Sequence, residues 1–321
     1  MRRLLAGRLL QGLAVVWIVA TLTFTLLHLA PGDAFSYHDR RIAPEVIAHW
    51  RHIYCLDRPI AAQYVCYVRS IASGDLGYSI SQQRPVLDIL IDYVPRTIEL
   101  MLVSLLVSFA VGITLGVLEA RRRGQIADWG ARAITLFFYS MPDFWLALML
   151  VLLFAYWIPI FPISGIEDVI NSPTNSWWQH VIDHLRHLVL PVSTLVLLTC
   201  AAIARFQRAA MLDVIRMDFV VTARVKGVSE NVVARHHVLR NALLPVITMA
   251  GLALPARLGG AVLVELVFSW PGMGWVTATA VGNHDYALVT SSVLVTSVLV
   301  VVGTIGADLL YALADPRVRA A

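Results

Sequence analysis

Six apolar runs, near residues 9–30, 97–119, 132–158, 187–206, 242–268 and 287–313, constrain everything else in this sequence. Each can cross a hydrocarbon layer about 30 Å thick, which takes roughly 20 helical residues. Lipid offers no partner to a free backbone N–H or C=O, so a spanning segment must be a helix or part of a closed barrel. The runs lack the apolar–polar alternation of barrel strands. The expected fold is an all-α membrane protein of six transmembrane helices. Composition agrees, because 58% of the 321 residues are hydrophobic and 14% are charged, too few charges to cover a soluble protein of this size.

The first run follows "MRRLLAGRLL", basic and then apolar like a signal peptide. It is too long for one, and no small-residue cleavage site follows "HLAPGD", so a retained span is expected. Arginines set the orientation. Arg2, Arg3 and Arg8 precede the first span, Arg121, Arg122 and Arg123 follow the second, and Arg317 and Arg319 lie in the tail. The link after the fourth span holds Arg205, Arg208, Arg216, Arg224, Lys226, Arg235 and Arg240, whereas 159–186 has one arginine and 269–286 none. Both termini are therefore expected in the cytoplasm. The net charge of +4 reflects this topology, and no basic patch interleaved with aromatics suggests nucleic acid. The chain divides into an N-terminal span (1–30), an external loop with short amphipathic helices (31–95) and a five-span core (96–321) with a cytoplasmic elbow at 207–241.

In the external loop, Asp57 to Ser70 has helical periodicity, with Ile60, Tyr64 and Tyr67 on one face. "SGDLG" signals a turn, Pro85 to Tyr93 reads as a second short helix lying on the membrane surface, and "PRTIEL" opens the second span. Cys55 and Cys66 both fall in this loop, an oxidising place, and are candidates for a disulfide. Cys200, inside a span, is a small apolar filler. The tryptophans of 159–186 suit a membrane interface and need no chemical role.

The elbow is unusual. "DFVVTARVKGVSENVVARHHVLRNALLP", Asp218 to Pro245, is charged and helix-prone between two spans, and Lys226 is the chain's only lysine. Asp213 to Lys226 should form a helix, Gly227 a left-handed stop, and Ser229 a cap for the next helix, with Glu230 and Asn231 in its first turn. Thr222, Ala223 and Gly227 put small residues near the tip, where another protein's surface could approach. A plain connector between spans would be shorter.

At these residues the sequence resembles the permease subunit of binding-protein-dependent ABC importers, in the peptide/nickel branch (dipeptide/oligopeptide permease B-like). The resemblance places Ala223 and Gly227 on that family's signature alanine and glycine, and "NALLP" matches the branch. Val221 stands where the broad family often has an acid, and Arg240 where many members have proline. "GDLGYSISQQRPVLDILIDYVPRTIEL", "SMPDFWLALML", "HLVLPVSTL", "VELVFSWPGMGWV" and "ALADPRVR" extend the likeness over nearly the whole chain. It implies a type I ABC importer permease fold in the bacterial inner membrane, with Thr222, Ala223, Lys226, Gly227, Val228 and Ser229 coupling to an ATPase. It also implies a second homologous permease, one or two cytoplasmic ATPases that carry the ATP and Mg, and an external solute-binding protein. No cofactor is expected on this chain: "VKGVS" reverses the order of a phosphate-binding loop. Di- or oligopeptides are the expected cargo, with nickel, glutathione or opines as alternatives within the branch.

Ionisable residues at membrane depth are costly and mark candidate sites. Asp143 follows a proline in the third span, Glu265 matches the family's glutamate before "VFSWPG", and Arg257 lies mid-span after Pro255. These three are candidates for the translocation path, with an internal ion pair of Arg257 with Glu265 or Asp143 as the alternative. Glu99 and Arg205 sit near span ends, and Asp308 with "DPR" anchors the last span. His28, His236 and His237 have no metal-ligand spacing. A stand-alone secondary transporter, suggested by Pro142–Asp143 and Pro255–Arg257, is the rival class. No H-E-x-x-H motif or serine with a base at helical spacing suggests a hydrolase.

Overall fold

The computed structural model describes residues 2–29, 52, 55–168, 176–258 and 261–314. Its elements are α1 (Arg2–Leu29), α2 (Ile60–Ser73), a hairpin of β1 (Tyr78–Ser79) and β2 (Arg84–Pro85), α3 (Val86–Arg121), α4 (Ile126–Tyr139) and α5 (Asp143–Val151). After α5 comes a π-helical stretch, Leu152–Trp157, then α6 (Trp177–Val214), α7 (Asp218–Val225), α8 (Glu230–Val232), a second π-helical stretch (Val233–Leu239) and α9 (Arg240–Ala242). α10 (Leu244–Leu258), α11 (Val262–Val267), α12 (Met273–Gly282) and α13 (Tyr286–Ala314) complete the chain.

Among the described residues four helices are long and apolar enough to cross a membrane: Ala6–Leu29 of α1, then α3, α6, and Tyr286–Leu309 of α13. The third apolar run is broken, with α4 and α5 bent by 103° where they meet. Pro142 explains the break: it lacks an N–H, disfavours helix at the residue before it, and sits extended at φ −63°, ψ 139°. The fifth run is α10 and α11. Its division falls after Leu258 rather than at Pro255, which α10 accommodates.

The chain forms two compact units, one drawn from 1–97 and 272–301, the other from 98–271 and 302–321. In the first, α2 packs on α1. Thr21 Oγ1 meets the Tyr64 hydroxyl at 2.8 Å, His28 Nε2 meets Gln63 Oε1 at 2.8 Å, and the Phe24 ring lies 5.3 Å from Tyr64 and 5.4 Å from Tyr67. Burial pushes the Tyr67 hydroxyl up to about 12. Tyr64 and Tyr67 of the periodic face of α2 thus pack on α1, whereas Ile60 is 60% exposed. Cys55 and Cys66 form a disulfide there, with Cα atoms 6.4 Å apart, and Gln63 Nε2 holds the same loop through the carbonyls of Leu56 and Arg58. "SGDLG" is a turn with Gly74 and Gly77 at positive φ.

The small hairpin that follows is a departure from an all-α chain, and it is pinned by one buried carboxylate. Asp285 Oδ2 accepts from Ser79 Oγ (2.6 Å), Ser81 Oγ (2.7 Å) and the Ser81 N–H (3.0 Å), while Oδ1 accepts from the Leu288 N–H at the start of α13. The segment 85–93, expected as a separate short helix, is continuous with the second span. It is the buried first part of α3, with Val86, Ile89 and Leu90 packed against Met273, Val276, Ala280 and Leu288. Pro95 inside α3 costs about 3 kcal/mol. Burying three large aliphatic side chains returns on the order of 1.5–3 kcal/mol each, so the helix runs through the proline.

The second unit is built around α6. Its 38 residues span about 57 Å, nearly twice the thickness of the hydrocarbon layer. Leu188, Leu190, Val192, Leu195 and Cys200 of α6 pack with Leu100 and Met101 of α3, Leu146, Ala147 and Leu150 of α5, and Val264, Phe268 and Trp270. Further along, α3 and α6 come into backbone contact at two glycines. A Cβ on Gly116 would lie 2.6 Å from the Ala204 carbonyl oxygen and 2.7 Å from Gln207 Cβ, and one on Gly112 would lie 2.6 Å from Ile203 Cβ. Small residues four apart let helices approach this closely in lipid.

Gly116→Leu should therefore separate α3 from α6, and the check is the yield of monodisperse protein and its thermal midpoint; an unchanged midpoint would contradict the close approach. The Cys55–Cys66 bridge should contribute about 3 kcal/mol by loop closure. Peptide mass spectrometry should find the two cysteines cross-linked without reductant and should find faster proteolysis of the 55–73 segment once they are reduced.

Candidate functional site

The elbow begins where α6 stops. Ile215, Arg216 and Met217 turn the chain on hydrogen bonds back to Met211, Asp213 and Val214, so the helix expected from Asp213 to Lys226 is two helices rather than one. Met217 is extended, and Asp218 opens α7 with an acid at the positive end of the helix dipole. The end of α7 is a Schellman motif. Gly227 is left-handed at φ 80°, its N–H reaches the Arg224 carbonyl at 2.9 Å, and the Val228 N–H reaches Ala223 at 3.2 Å. Ser229 has N-cap backbone geometry (φ −60°, ψ 143°), but its hydroxyl makes no capping hydrogen bond.

This short segment has its own core. Val220 and Ala223 of α7, Val233 and Val238 of the π-helical stretch, and Ala242 of α9 pack with Met211 and Val214 of α6 and Ala120 of α3. Two polar ties close it. Arg224 grips Glu230 across the glycine turn through Nε–Oε1 (2.8 Å) and Nη2–Oε2 (3.3 Å), and Arg121 donates to Asn231 at 2.8 Å. Both ties are exposed and contribute less than about 1 kcal/mol each, so the apolar core holds the shape.

The six candidate coupling residues all fall on this turn but do not share one role. Thr222, Lys226, Gly227 and Ser229 are exposed; Ala223 is buried and Val228 half-buried. Ala223 packs in the segment's own core, where a small side chain lets α7 sit close. The exposed face is apolar as well as basic. Phe219 and Val221 are more than 40% exposed and Val225 is 83% exposed, which a hydrophilic segment flanked by charges does not need for its own folding. Sequence reasoning gave these residues no part.

Below the elbow lies a group that a linear charge count also passes over. Glu119 and Gln207 are buried, and among the described residues neither side chain has a hydrogen-bond partner. Near them Asp128 accepts from the Gly124 N–H (3.0 Å) and from Arg208 (3.3 Å) and pairs with Arg132 (3.1 Å). Glu119 sits two residues before the exposed Arg121–Arg123 run, so in the sequence it reads as part of a solvated link.

The path candidates are placed differently. Asp143 is exposed in the first turn of α5, and Glu265 is buried in α11. Arg257 lies on α10, and its side chain is outside the described residues, as is any ion pair it makes. Glu99 pairs with His184 at 2.7 Å, and Arg205 stacks over the Tyr139 ring at 4.9 Å. Among the described residues no group of three or more His, Cys, Asp or Glu side chains converges for a metal ion.

The chain as a whole has counterparts among known proteins. Residues 112–320 match the family described as binding-protein-dependent transport system inner membrane component, and residues 1–101 match the N-terminal domain described for the same transport systems. The chain is 38% identical to the di/tripeptide transport system permease protein DppB of Pseudomonas aeruginosa, over 94% of each chain. It is 35% identical to the oligopeptide transport system permease protein AppB of Bacillus subtilis, over 97% of this chain and 98% of that one. Among solved structures, a chain of the MetNI methionine ABC transporter in inward-facing conformations superposes with a TM-score of 0.56 at 19% identity, covering 71% of this chain and 96% of that one, and so shares the fold. Matches of this extent displace the stand-alone secondary transporter, and the chain belongs to the inner membrane components of binding-protein-dependent transport systems.

Proposed function

We propose that this chain forms one half of the translocation path of an ATP-driven importer that takes di- to oligopeptides from an external solute-binding protein. The names of its relatives support the cargo, since those aligned over nearly their full length are dipeptide and oligopeptide permeases. A second homologous permease completes the path, and one or two cytoplasmic ATPases hold the ATP and Mg. This chain hydrolyses nothing itself. Both termini lie in the cytoplasm, and α10 with α11 forms the remaining crossing. Asp143, Arg257 and Glu265 are the candidates for contact with cargo along the path.

The observation that carries this reading is the elbow: a module with its own core at the end of a rod longer than the membrane is thick, presenting Phe219, Val221 and Val225 to the surroundings. A rigid, apolar, basic-rimmed projection is what a moving ATPase surface needs to push on. Closure of the ATPase pair on ATP would be passed through α6 to the spans as a bias between outward and inward access.

Two substitutions test the elbow. Val225→Asp places a charge on an exposed side chain and should leave thermal unfolding unchanged while reducing ATPase recovered with the purified chain about tenfold. Gly227→Ala meets no neighbour, but its positive φ costs about 1 kcal/mol, so coupling should weaken only modestly; Gly227→Asn should be milder still. Concentrative peptide uptake by the chain alone, without an ATPase, would sink the proposal.

A further inference from the structure

At the end of α6 away from the elbow, His180, His184 and His187 follow one helical face. Each stands by a carboxylate: His180 Nδ1 lies 3.6 Å from Glu167 Oε2, His184 Nε2 2.7 Å from Glu99 Oε1, and His187 Nδ1 3.5 Å from Asp183 Oδ1. The middle histidine has a distinct hydrogen-bond count. While Nε2 faces Glu99, its Nδ1 lies 3.2 Å from the Ile166 carbonyl oxygen. A carbonyl can only accept, and so can an ionised carboxylate, whereas a neutral imidazole has a single N–H to give. Turning the ring over would set a carbon 2.7 Å from a carboxylate oxygen, far inside the ~3.3–3.6 Å of a C–H···O contact. Both contacts are met only when the pair holds one proton more than neutral imidazole plus carboxylate. Either His184 has both N–H groups, or Glu99 donates O–H to Nε2 while Nδ1–H serves Ile166.

We propose that His184 and Glu99 form a proton-binding latch, in which one shared proton ties α3, α6 and the 158–168 link together and its loss releases the link. The surroundings suit that role. Other ties on the link include the Gly165 N–H to Phe268 O (2.9 Å), the Asp168 N–H to Asp183 Oδ2 (2.6 Å), and Arg186 to Ile160 O (2.7 Å). Among the described residues, the charged and titratable groups around the latch are Glu99 from α3, Glu167 and Asp168 from the link, and His180, Asp183, Arg186 and His187 from α6. The turn after α11 adds the Trp270 ring, 5.7 Å from His184, and α11 itself adds the buried Glu265. Both latch side chains are about one-third exposed (33% and 37%), so protons exchange with bulk water. Once the proton leaves, one N–H cannot serve both acceptors, and either Ile166 or Glu99 is let go.

The test needs no substrate and does not depend on the transport reading. Hydrogen exchange of the peptide containing 159–168 is followed in the full chain in lipid nanodiscs from about pH 5 to about pH 9, corrected for the intrinsic pH dependence of exchange. Protection of Gly165 and Asp168 should fall about tenfold on the alkaline side, as expected for losing one charge-assisted hydrogen bond. Glu99→Gln supplies an amide donor to Nε2 and leaves Nδ1–H for Ile166, so E99Q should stay protected throughout. His184→Phe should show the released value at every pH. Flat protection in the unaltered chain, or an E99Q variant that responds to pH as that chain does, overturns the latch and assigns any response to His180 or His187. Should His184→Phe not fold, the E99Q comparison alone decides.

Discussion

Two glycines set how close α3 and α6 come, and the second unit depends on that distance. Gly112 and Gly116 leave no room for a Cβ against Cys200, Ile203, Ala204 and Gln207. Helices in lipid gain little from the hydrophobic effect on meeting each other, so close packing of backbones has to hold them. One turn further on, Ala120 continues the small-residue line into the core of the elbow. The contact that joins two spans thus also seats the elbow on both. α7 is thereby packed on α3 and α6 together rather than on one helix alone.

The elbow is stiff for reasons that can be ranked. Its exposed ion pair contributes tenths of a kcal/mol, while Val220, Val233, Val238 and Ala242, each at or below 1% exposure, supply the larger part through burial. Gly227 stops α7 without strain because a left-handed residue is needed there, and the Schellman hydrogen bonds satisfy carbonyls that would otherwise be orphaned. The π-helical stretch that follows fits one extra residue into the return path and keeps both Val233 and Val238 turned inward. Such insertions are uncommon and recur at functional sites. Here the insertion matches a chain that must leave and re-enter a narrow base.

Much of this was legible in the sequence because its signals were local. Apolar runs located the spans, Gly227 marked the turn, and Pro142 sat where the third run breaks. What was not legible depended on partners distant along the chain. The segment 85–93 looked like a surface helix until α12 and α13 supplied Met273, Val276 and Leu288 to cover it. Ala223 and Gly227 looked alike as small residues, yet one lines a core and the other turns the chain. Ser79, Ser81 and Asp285 lie about two hundred positions apart, and no periodicity announces that pairing. Glu119 and His184 were invisible for the same reason: a charge acquires its meaning from what stands across from it.

The two ends of α6 pose opposite problems with the same physics. At the elbow end, Glu119 and Gln207 are buried without hydrogen-bond partners among the described residues, and an unmet polar group in such a place costs on the order of 1–3 kcal/mol. At the other end, His184 has one acceptor too many for a neutral ring. The first is costly in a static scaffold, and the second is relieved only while the extra proton is bound. Both are natural in a protein with more than one arrangement, because groups unsatisfied in one state can be satisfied in the next and so bias the equilibrium between them. Arg208 and Arg132, engaged with Asp128, also act electrostatically on Glu119. α6 is thus apolar and tightly packed through its middle, and the polar groups that can change partner or protonation gather at its ends.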